Sequence, residues 1–214
     1  MAIKTLKEQA FTHVLYGIMR GEYPPDTLIN EKQLCNKLQI SKSPVREALV
    51  DLCSQGILRS IPRHGYEVIR YTERNIQDIV QYRLLVECGC LEQCFDRISS
   101  TQICALSDMV EHEFTYLSNK DTFDYWNDTL NFHLTLASFA ENEFIYNQLK
   151  SALNTLMRAY LQFYWEKWED PSPLRPSELH LEIVERIRRR QKKEAIACLQ
   201  EDIRSIFKFQ SVGA

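Results

Sequence analysis

The 214-residue sequence lacks three features that would each indicate an unusual location or a special scaffold. No apolar run approaches the roughly 18 residues that a membrane span needs. The first eight residues contain no uninterrupted apolar stretch of the kind that a secretory signal carries. The seven cysteines are odd in number and scattered, and no CxxC pair occurs among them. We therefore expect a soluble, cytoplasmic protein without a disulfide framework.

What the sequence does contain is an uneven distribution of charge. Residues 1–75 carry 11 lysines and arginines against 8 acidic residues, whereas the remainder carries 15 against 21. A basic first part joined to an acidic second part favours a polyanion as the partner of the first part. With 44% hydrophobic residues, the chain is also long enough for two domains that each have a core.

The first 70 residues show the order helix, helix, turn, helix and two-stranded wing. Apolar residues recur at helical spacing up to Met19, and Gly21 ends that pattern. Asn30 can cap the second helix, and Ser43 can cap the third helix ahead of Pro44. Two β-prone segments, ILRSIP and YEVIR, then flank the turn RHG. The buried stripe expected for the third helix comprises Val45, Ala48, Leu49 and Leu52.

This order predicts a winged helix-turn-helix, which needs donors at the start of its third helix and at the tip of its wing. Lys42 and Arg46 lie off the apolar stripe, and the planar fork of Arg46 matches O6 and N7 of guanine. Arg63 and His64 occupy the tip of the wing, where Gly65 permits a close approach or a positive φ. For any single one of these residues, the alternative is an ordinary solubilising charge on an exposed helix.

The run LINEKQLCNKLQISKSPVREALVDLCSQGILRSIPRHGYEV resembles the winged helix-turn-helix of the GntR family of bacterial transcription regulators. The resemblance implies a DNA-binding domain over residues 1–71 and a homodimer that reads a palindromic operator. Lys32 and Lys42 stand where arginine is common in the family, and lysine lacks the bidentate fork. The DNA-binding positions expected from the resemblance and from the wing pattern are Lys32, Lys42, Ser43, Arg46, Arg63, His64 and Gly65.

From Thr72 onward the sequence shows long helical periodicity and no strand signal. The stretch EDPSPLRPSE is the one clear break. The expected fold is therefore mostly α, with an N-terminal winged helix-turn-helix and a C-terminal all-α helical bundle over residues 72–214. Such a bundle can enclose a pocket for a small ligand between facing helices. The expected helices cover about 73–97, 101–118, 121–139, 143–167, 175–191 and 193–208.

Three polar side chains within these helices, those of His133, His180 and Asp202, are candidates for that pocket. Taken alone, a histidine beside apolar neighbours is more often a hydrogen-bonded core residue than a ligand. The segments, however, resemble the FCD effector-binding domain of the FadR-like subfamily, in its short six-helix VanR-like form. The resemblance implies that these side chains hold a divalent metal, which in turn binds a carboxylate effector.

The same resemblance matches Arg83 and Glu87 to the Arg and Glu on the first helix of the effector domain. Arg83 can bind an effector carboxylate, together with His133 and His180. Alternatively, Arg83 and Glu87 form an ordinary ion pair between positions i and i+4 of a helix, which contributes a few tenths of a kcal/mol.

The sequence departs from the family's ligand pattern at two positions. Thr129 stands four residues before His133, where the family has aspartate, and Asp202 stands at the position of the last histidine. The nearest acid, Asp128, points about 140° away from His133 on a helix. Two imidazoles and one carboxylate can still hold zinc, nickel or manganese with open positions for water or an effector. A metal-free pocket, in which His133 and His180 bind the effector anion directly, is the alternative.

These observations predict a ligand-responsive bacterial transcription regulator, most often a repressor, and not an enzyme. One alternative is a metal-dependent hydrolase built on His133, His180 and Asp202, although no recognised motif supplies a general acid or a nucleophile. Another is a DNA-binding protein without a ligand, for which the acidic helical part is hard to justify. A basic run near the end, RIRRRQKK, is a candidate second nucleic-acid patch or, more often for such a run, a solvated helix face.

Overall fold

A computed structural model of the chain describes residues 5–115, 122–164 and 178–206. These residues form two compact units, of which the first contains residues 5–76 and 155–164 and the second contains residues 77–115, 122–154 and 178–206. In chain order the elements are α1 (Leu6–Met19), β1 (Leu28–Ile29), α2 (Glu31–Leu38), α3 (Lys42–Ser54), β2 (Leu58–Ile61), β3 (Gly65–Val68), α4 (Glu73–Cys94), a short 3-10 helix (Phe95–Arg97), α5 (Ser100–Thr115), α6 (Thr122–Ser138), α7 (Glu143–Tyr164), α8 (Glu178–Arg188) and α9 (Lys192–Ser205).

Side-chain caps define where the helices of the first unit begin. The Thr5 side chain accepts a hydrogen bond from the backbone N–H of Glu8, and the Glu8 carboxylate accepts one from the N–H of Thr5. Asn30 caps α2, as predicted, because its side-chain oxygen accepts from the N–H groups of Lys32 and Gln33. These caps satisfy N–H groups that the first turn of a helix would otherwise leave without partners.

The core of the first unit forms where α1 and α3 pack together. The stripe predicted for α3 is fully buried, with Val45, Ala48, Leu49 and Leu52 all at 0% exposure. Gly56 follows the end of α3 with a φ of 67°, a conformation that favours glycine. The other buried members of this core are Ala10, Val14, Ile29, Leu34, Ile40, Ile57, Leu58 and Val68.

A three-stranded antiparallel sheet completes the winged helix. Its order is β1-β3-β2, so β3 is the central strand. Tyr66 of β3 lies opposite Ile29 of β1 on one side and opposite Ser60 of β2 on the other. The two strands of the wing confirm the prediction, whereas β1 was not predicted because two residues are too few for a periodic signal.

Residues 155–164 of α7 contact the segment that follows the wing, and both belong to the first unit. The side-chain amide of Gln162 donates to the carbonyl of Ile69 and accepts from the N–H of Tyr71, both at 2.8 Å. Arg158 donates to the carbonyl of Gln55 at 3.1 Å. These bonds satisfy backbone groups of a connecting segment that has no strand partner of its own.

The second unit is helical throughout its described residues. The predicted helices agree with α4 to α9, and the ends predicted at 116–118, 121, 165–167, 175–177 and 207–208 lie outside the described residues. No described helix combines the length and the apolarity that a membrane crossing requires. Fully buried large side chains of this unit include Leu91, Phe95, Leu106, Phe132, Leu149, Leu153 and Ile183.

Candidate nucleic-acid interface and candidate metal centre

The start of α3 presents polar side chains outside the core of the first unit. The helix begins at Lys42, and its N-cap is Ser41, so the prediction of Ser43 as the cap was wrong by two residues. Pro44 fits inside the first turn because the N–H that it lacks has no helical partner there. Ser43 instead donates its hydroxyl to the Glu47 carboxylate at 3.1 Å. Lys42 and Arg46 are exposed.

The tip of the wing has an unusual backbone. Arg63 has a φ of 68°, although it is not glycine, and Gly65 has a φ of 125°. A Cβ at Gly65 would lie 2.6 Å from the carbonyl oxygen of Ile29, so the position requires glycine for space as well as for conformation. Both the close approach and the positive φ agree with the prediction. Arg63 and His64 are exposed at this tip.

A groove of about 770 Å³ runs between the start of α2, the start of α3 and the wing. Three cations and one carboxylate on its walls come from α2 and α3, namely Lys32, Lys42, Arg46 and Glu31. Six of the seven predicted DNA-binding residues line the groove, and Ser43 is the exception. The six are Lys32, Lys42, Arg46, Arg63, His64 and Gly65.

In the second unit, the structure brings together the three residues predicted to hold a metal. His133 on α6, His180 on α8 and Asp202 on α9 each offer a ligand atom, and these atoms lie within 4.8 Å of one another. Asp202 Oδ2 lies 3.2 Å from His133 Nε2 and 3.6 Å from His180 Nε2. The three residues are 2%, 0% and 7% exposed, respectively.

Two further carboxylates lie behind the imidazoles. Glu87 on α4 places Oε2 at 2.8 Å from His133 Nδ1, and Glu113 on α5 accepts from His180 Nδ1 at 3.0 Å. Each imidazole therefore faces a carboxylate with Nδ1 and faces Asp202 with Nε2. Arg83 adds a cation, because its Nε donates to Glu87 Oε1 at 2.6 Å. The structure therefore contains the ion pair between positions i and i+4 that was weighed as the alternative, and the pair is buried.

Electrostatics shift the pKa values of these buried groups strongly. Burial alone would lower the pKa of His180, but the Asp202 and Glu113 carboxylates outweigh burial and raise it to about 9. Burial alone would raise the pKa of Asp202, but His180 and His133 hold it well below its usual range. Burial alone would also raise the pKa of Glu87, but Arg83 and His133 outweigh burial and lower this pKa to about 2. The cluster is therefore strongly charged despite its burial.

The donor set fits a divalent transition metal. In metal sites, a ligating histidine usually donates its second ring N–H to a carboxylate or a carbonyl, which fixes the tautomer and the orientation of the ring. Glu87 and Glu113 stand in that place here, and His180 Nε2 is buried with no hydrogen-bond partner among the described residues. Phe132 stacks on the ring of His180 at 4.0 Å and 15°, which further restricts the imidazole.

Comparison with known proteins finds one family match for the first part of the chain and another for the second part. Residues 6–68 match the family described as bacterial regulatory proteins, gntR family, and residues 78–205 match the FCD domain. The chain belongs to the gntR family and carries an FCD domain. Members of this family and the relatives of the chain are transcriptional regulators and not enzymes, so the hydrolase alternative is not supported.

Individual relatives of this gntR-family regulator are distant. It is 26% identical over 189 residues to the uncharacterized HTH-type transcriptional regulator YdhC of Bacillus subtilis, covering 87% of this chain and 83% of that protein. It is 30% identical over 160 residues to the gluconate operon transcriptional repressor of Bacillus licheniformis, covering 72% of this chain and 64% of that protein.

Solved structures share the fold of the regulator. McbR/YncC of E. coli has a TM-score of 0.72 at 19% identity, with 98% of this chain and 100% of that chain covered. The protein Lar, described as controlling the agr system of Listeria monocytogenes, has a TM-score of 0.74 at 17% identity, with both chains fully covered at 100%. At such identities the likeness shows the fold alone.

Glu113 is the residue of the regulator's histidine cluster that the sequence analysis missed. It continues the apolar stripe of α5, where Ile103, Leu106 and Val110 are buried, and it is itself only 3% exposed. A carboxylate at an apolar position of a helical stripe is the signal that could have identified it. Asp128 lies against His112, with 3.6 Å between Oδ2 and Nδ1, which agrees with the prediction that it points away from His133.

The basic run RIRRRQKK of the regulator is largely engaged in contacts within the second unit. Arg186 pairs with Glu182, and both Arg188 and Arg189 pair with Glu185. Arg190 donates to the carbonyls of Phe95 and Ile98 near the end of the 3-10 helix, and Lys192 pairs with Asp96 and Glu92. These partners favour a solvated and structural helix face over a second nucleic-acid patch.

Proposed function

We propose that the chain is a dimeric repressor that binds a palindromic operator and loses affinity for DNA when a small carboxylate binds in the FCD domain. The effector binds through one divalent metal held by His133, His180 and Asp202. The observation that carries this proposal is the orientation of the two imidazoles, whose Nε2 atoms face one carboxylate while their Nδ1 atoms face Glu87 and Glu113.

Three protein ligands leave coordination positions open on zinc, nickel or manganese. A metal with open positions binds water or the oxygen atoms of a carboxylate, and it polarises whatever it binds. Thr129 supplies no carboxylate at the position where the family has aspartate. We therefore expect weaker metal retention than a site with four protein ligands provides, and more positions for the effector.

The charge of the cluster also supports a cation. Among the described residues, the cluster contains the three buried carboxylates of Glu87, Glu113 and Asp202 and one buried guanidinium, that of Arg83, so an excess of two negative charges remains when both imidazoles are neutral. A divalent metal compensates this excess, and so do two protons on the imidazoles. Metal and protons therefore compete for the cluster, which couples metal affinity to pH.

Arg83 supports the binding of a carboxylate. Its Nε is engaged by Glu87, but one of its terminal nitrogens is buried with no hydrogen-bond partner in the described part of the chain. A buried guanidinium donor without an acceptor is unfavourable, and a carboxylate accepts from guanidinium in a well-defined geometry. Arg83 is therefore our candidate for binding the effector alongside the metal.

In the DNA-binding domain, which we place at residues 1–71, the start of α3 reads bases and the wing contacts the backbone of DNA. Arg46 is the base reader because its guanidinium can donate twice to guanine. A single winged helix contacts too little DNA for strong specificity, so two copies are needed for one operator. The remaining contacts come from Lys32, Lys42, Ser43, Arg63, His64 and Gly65.

A thermal-shift screen of small carboxylates tests the proposal, with zinc or nickel added in one arm and a chelator in the other. Gluconate belongs in the screen because one relative is named as the repressor of a gluconate operon. A ligand that binds only the folded state raises the melting temperature by mass action. We expect a hit that requires metal and that also releases the protein from a DNA fragment carrying its operator.

Two other results would change the assignment. A carboxylate that binds equally well in chelator, and whose effect disappears in His133→Ala, would favour the metal-free pocket in which the histidines bind the anion. DNA binding that responds to no carboxylate in either arm would favour a DNA-binding protein without a ligand.

A further inference from the structure

The end of α7 is bound to the winged helix by the side chains of Arg158 and Gln162. Gln162 takes the place of a strand partner, because its amide donates to the carbonyl of Ile69 and accepts from the N–H of Tyr71, both at 2.8 Å. Ile69 and Tyr71 lie in the segment that joins the wing to α4. One amide that satisfies both a carbonyl and an N–H of this segment holds it by its backbone, as a neighbouring strand would.

The guanidinium of Arg158 extends this attachment to the end of α3. One of its terminal nitrogens donates at 3.1 Å to the carbonyl of Gln55, which is the C-cap of α3. Its Nε donates to the hydroxyl of Tyr71 at 3.4 Å, and that hydroxyl donates to the carbonyl of Gly56 at 2.8 Å. A cation is favourable at the C-terminus of a helix, where the last carbonyls have no helical partner. Together, Tyr71, Arg158 and Gln162 form what we call the α7 clasp.

The α7 clasp lies on a helix that continues beyond the first unit. All three residues of the clasp belong to the first unit, whereas residues 143–154 of the same helix belong to the second unit. The winged helix does not need the clasp to form, because the apolar stripe of α3 is fully buried within the core of the first unit. What the clasp adds is a fixed attachment of the winged helix to the end of α7.

A fixed attachment matters to a dimer that reads two half-sites. B-DNA has about 10–10.5 base pairs per turn, so one inserted base pair rotates one half-site by about 34° relative to the other. Winged helices that are held in place cannot follow this rotation without losing contacts, whereas winged helices on free connecting segments can. Holding them in place also raises the effective concentration of the second winged helix at its own half-site.

We propose that the α7 clasp determines which half-site spacing the regulator accepts. Its residues are positioning residues, which act on DNA through the winged helix that they hold. The inference rests on the proposed dimeric reading of a palindromic operator, and it is independent of the metal and of the effector.

The test uses the full chain and duplexes derived from the one that the wild-type protein selects from a randomised pool. These are the selected duplex, versions with one base pair inserted or removed at its centre, and a version in which one half-site is scrambled. Fluorescence anisotropy gives the affinities of Gln162→Ala, Arg158→Gln and Tyr71→Phe for each duplex. The matched controls are Gln148→Ala and Lys150→Gln, which make similar changes at exposed positions of α7 outside the clasp.

We expect the affinity for the selected duplex to fall about tenfold in Gln162→Ala and Arg158→Gln, which is part of the 100-fold to 10,000-fold gain that linking two binding modules can give. The affinity for the duplex with one intact half-site should equal that of the controls. A change of spacing by one base pair should weaken the wild type about tenfold, but these two variants by about threefold or less.

Two results would overturn the inference. One is a spacing preference in Gln162→Ala and Arg158→Gln that equals that of the controls. The other is an equal loss of affinity for the selected duplex and for the single half-site, which would mean that the variants merely damage the winged helix. A wild-type protein that binds the selected duplex no more tightly than the single half-site would refute the dimeric reading of the operator, and the inference with it.

A double-mutant cycle provides a second measurement. The hydroxyl of Tyr71 reaches α7 through Arg158, so Tyr71→Phe should relax the spacing preference in the wild type and add nothing to Arg158→Gln. A full additional loss in the double variant would contradict the clasp. If Gln162→Ala does not fold by circular dichroism, Arg158→Gln, Tyr71→Phe and their cycle decide.

Discussion

Binding of a divalent metal to the histidine cluster should release a proton from His180. The structure raises the pKa of this imidazole to about 9, because the Asp202 and Glu113 carboxylates outweigh the effect of burial. At pH 7, about two pH units lower, about 99% of a group with that pKa is protonated. A metal needs the neutral imidazole, so each ion bound at pH 7 should displace about one proton from His180.

The magnitude of the effect follows from the same pKa. The apparent metal affinity should rise about tenfold between pH 7 and pH 8 and level off above pH 9. In chelator-treated protein, the raised pKa of His180 makes the stability of the fold fall with rising pH, whereas metal affinity rises. The protonated imidazole stabilises the fold below pH 6.5, and this contribution is lost as the pH rises through about 9. The rise from 6.5 to about 9 corresponds to about 3 kcal/mol of the free energy of unfolding.

Isothermal titration calorimetry measures this release directly. Zinc or nickel is titrated into chelator-treated protein at pH 7 in buffers of different ionisation enthalpy, and the slope of the observed enthalpy gives the number of protons. Glu113→Gln is the informative variant, since it removes one cause of the raised pKa and the carboxylate that orients His180. It should release fewer protons and weaken metal affinity about 10-fold to 100-fold. Stoichiometric metal binding with no dependence on the buffer would refute the reasoning.

Three further predictions concern DNA, assembly and the altered ligand. Arg46→Ala should reduce the free energy of binding to the specific operator by about 1–3 kcal/mol and remove the base preference at one position of the operator. Lys32→Ala should weaken binding to all DNA sequences alike in a binding assay and lower the salt dependence of the affinity. Light scattering should give about twice the chain mass of 25.2 kDa, and a tight monomeric complex with one half-site would contradict the dimer. Thr129→Asp should tighten metal retention in elemental analysis, because it adds a carboxylate on the face of His133.

The architecture of the first unit was accessible from the sequence because local signals specify it. The apolar stripe of α3, the Asn30 cap and the glycine at position 65 are each readable within a few residues, and the structure has them as predicted. The start of α3 was misplaced because Ser41 and Ser43 are equally good caps by residue type. Helix ends are the least specified part of such a prediction.

The histidine cluster in the second unit could not be predicted from signals local in the sequence. His133, His180 and Asp202 could be brought together only through a family resemblance, since 69 positions separate the first from the last. Glu113 lies 67 residues from its partner His180, and nothing near either residue indicates the pairing. The choice of partner depends on how α5 and α8 pack, which is a property of the folded core and not of either helix alone.

The left-handed backbone of Arg63 sets two selective pressures against each other at the tip of the wing. An arginine with a φ of 68° carries a conformational penalty of about 1 kcal/mol that a glycine would avoid. Selection for thermal stability alone would therefore favour replacing this residue, while selection for contact with a polyanion would keep its charge. A thermostabilised descendant of the chain that has lost Arg63 should then melt at a higher temperature and bind DNA less tightly.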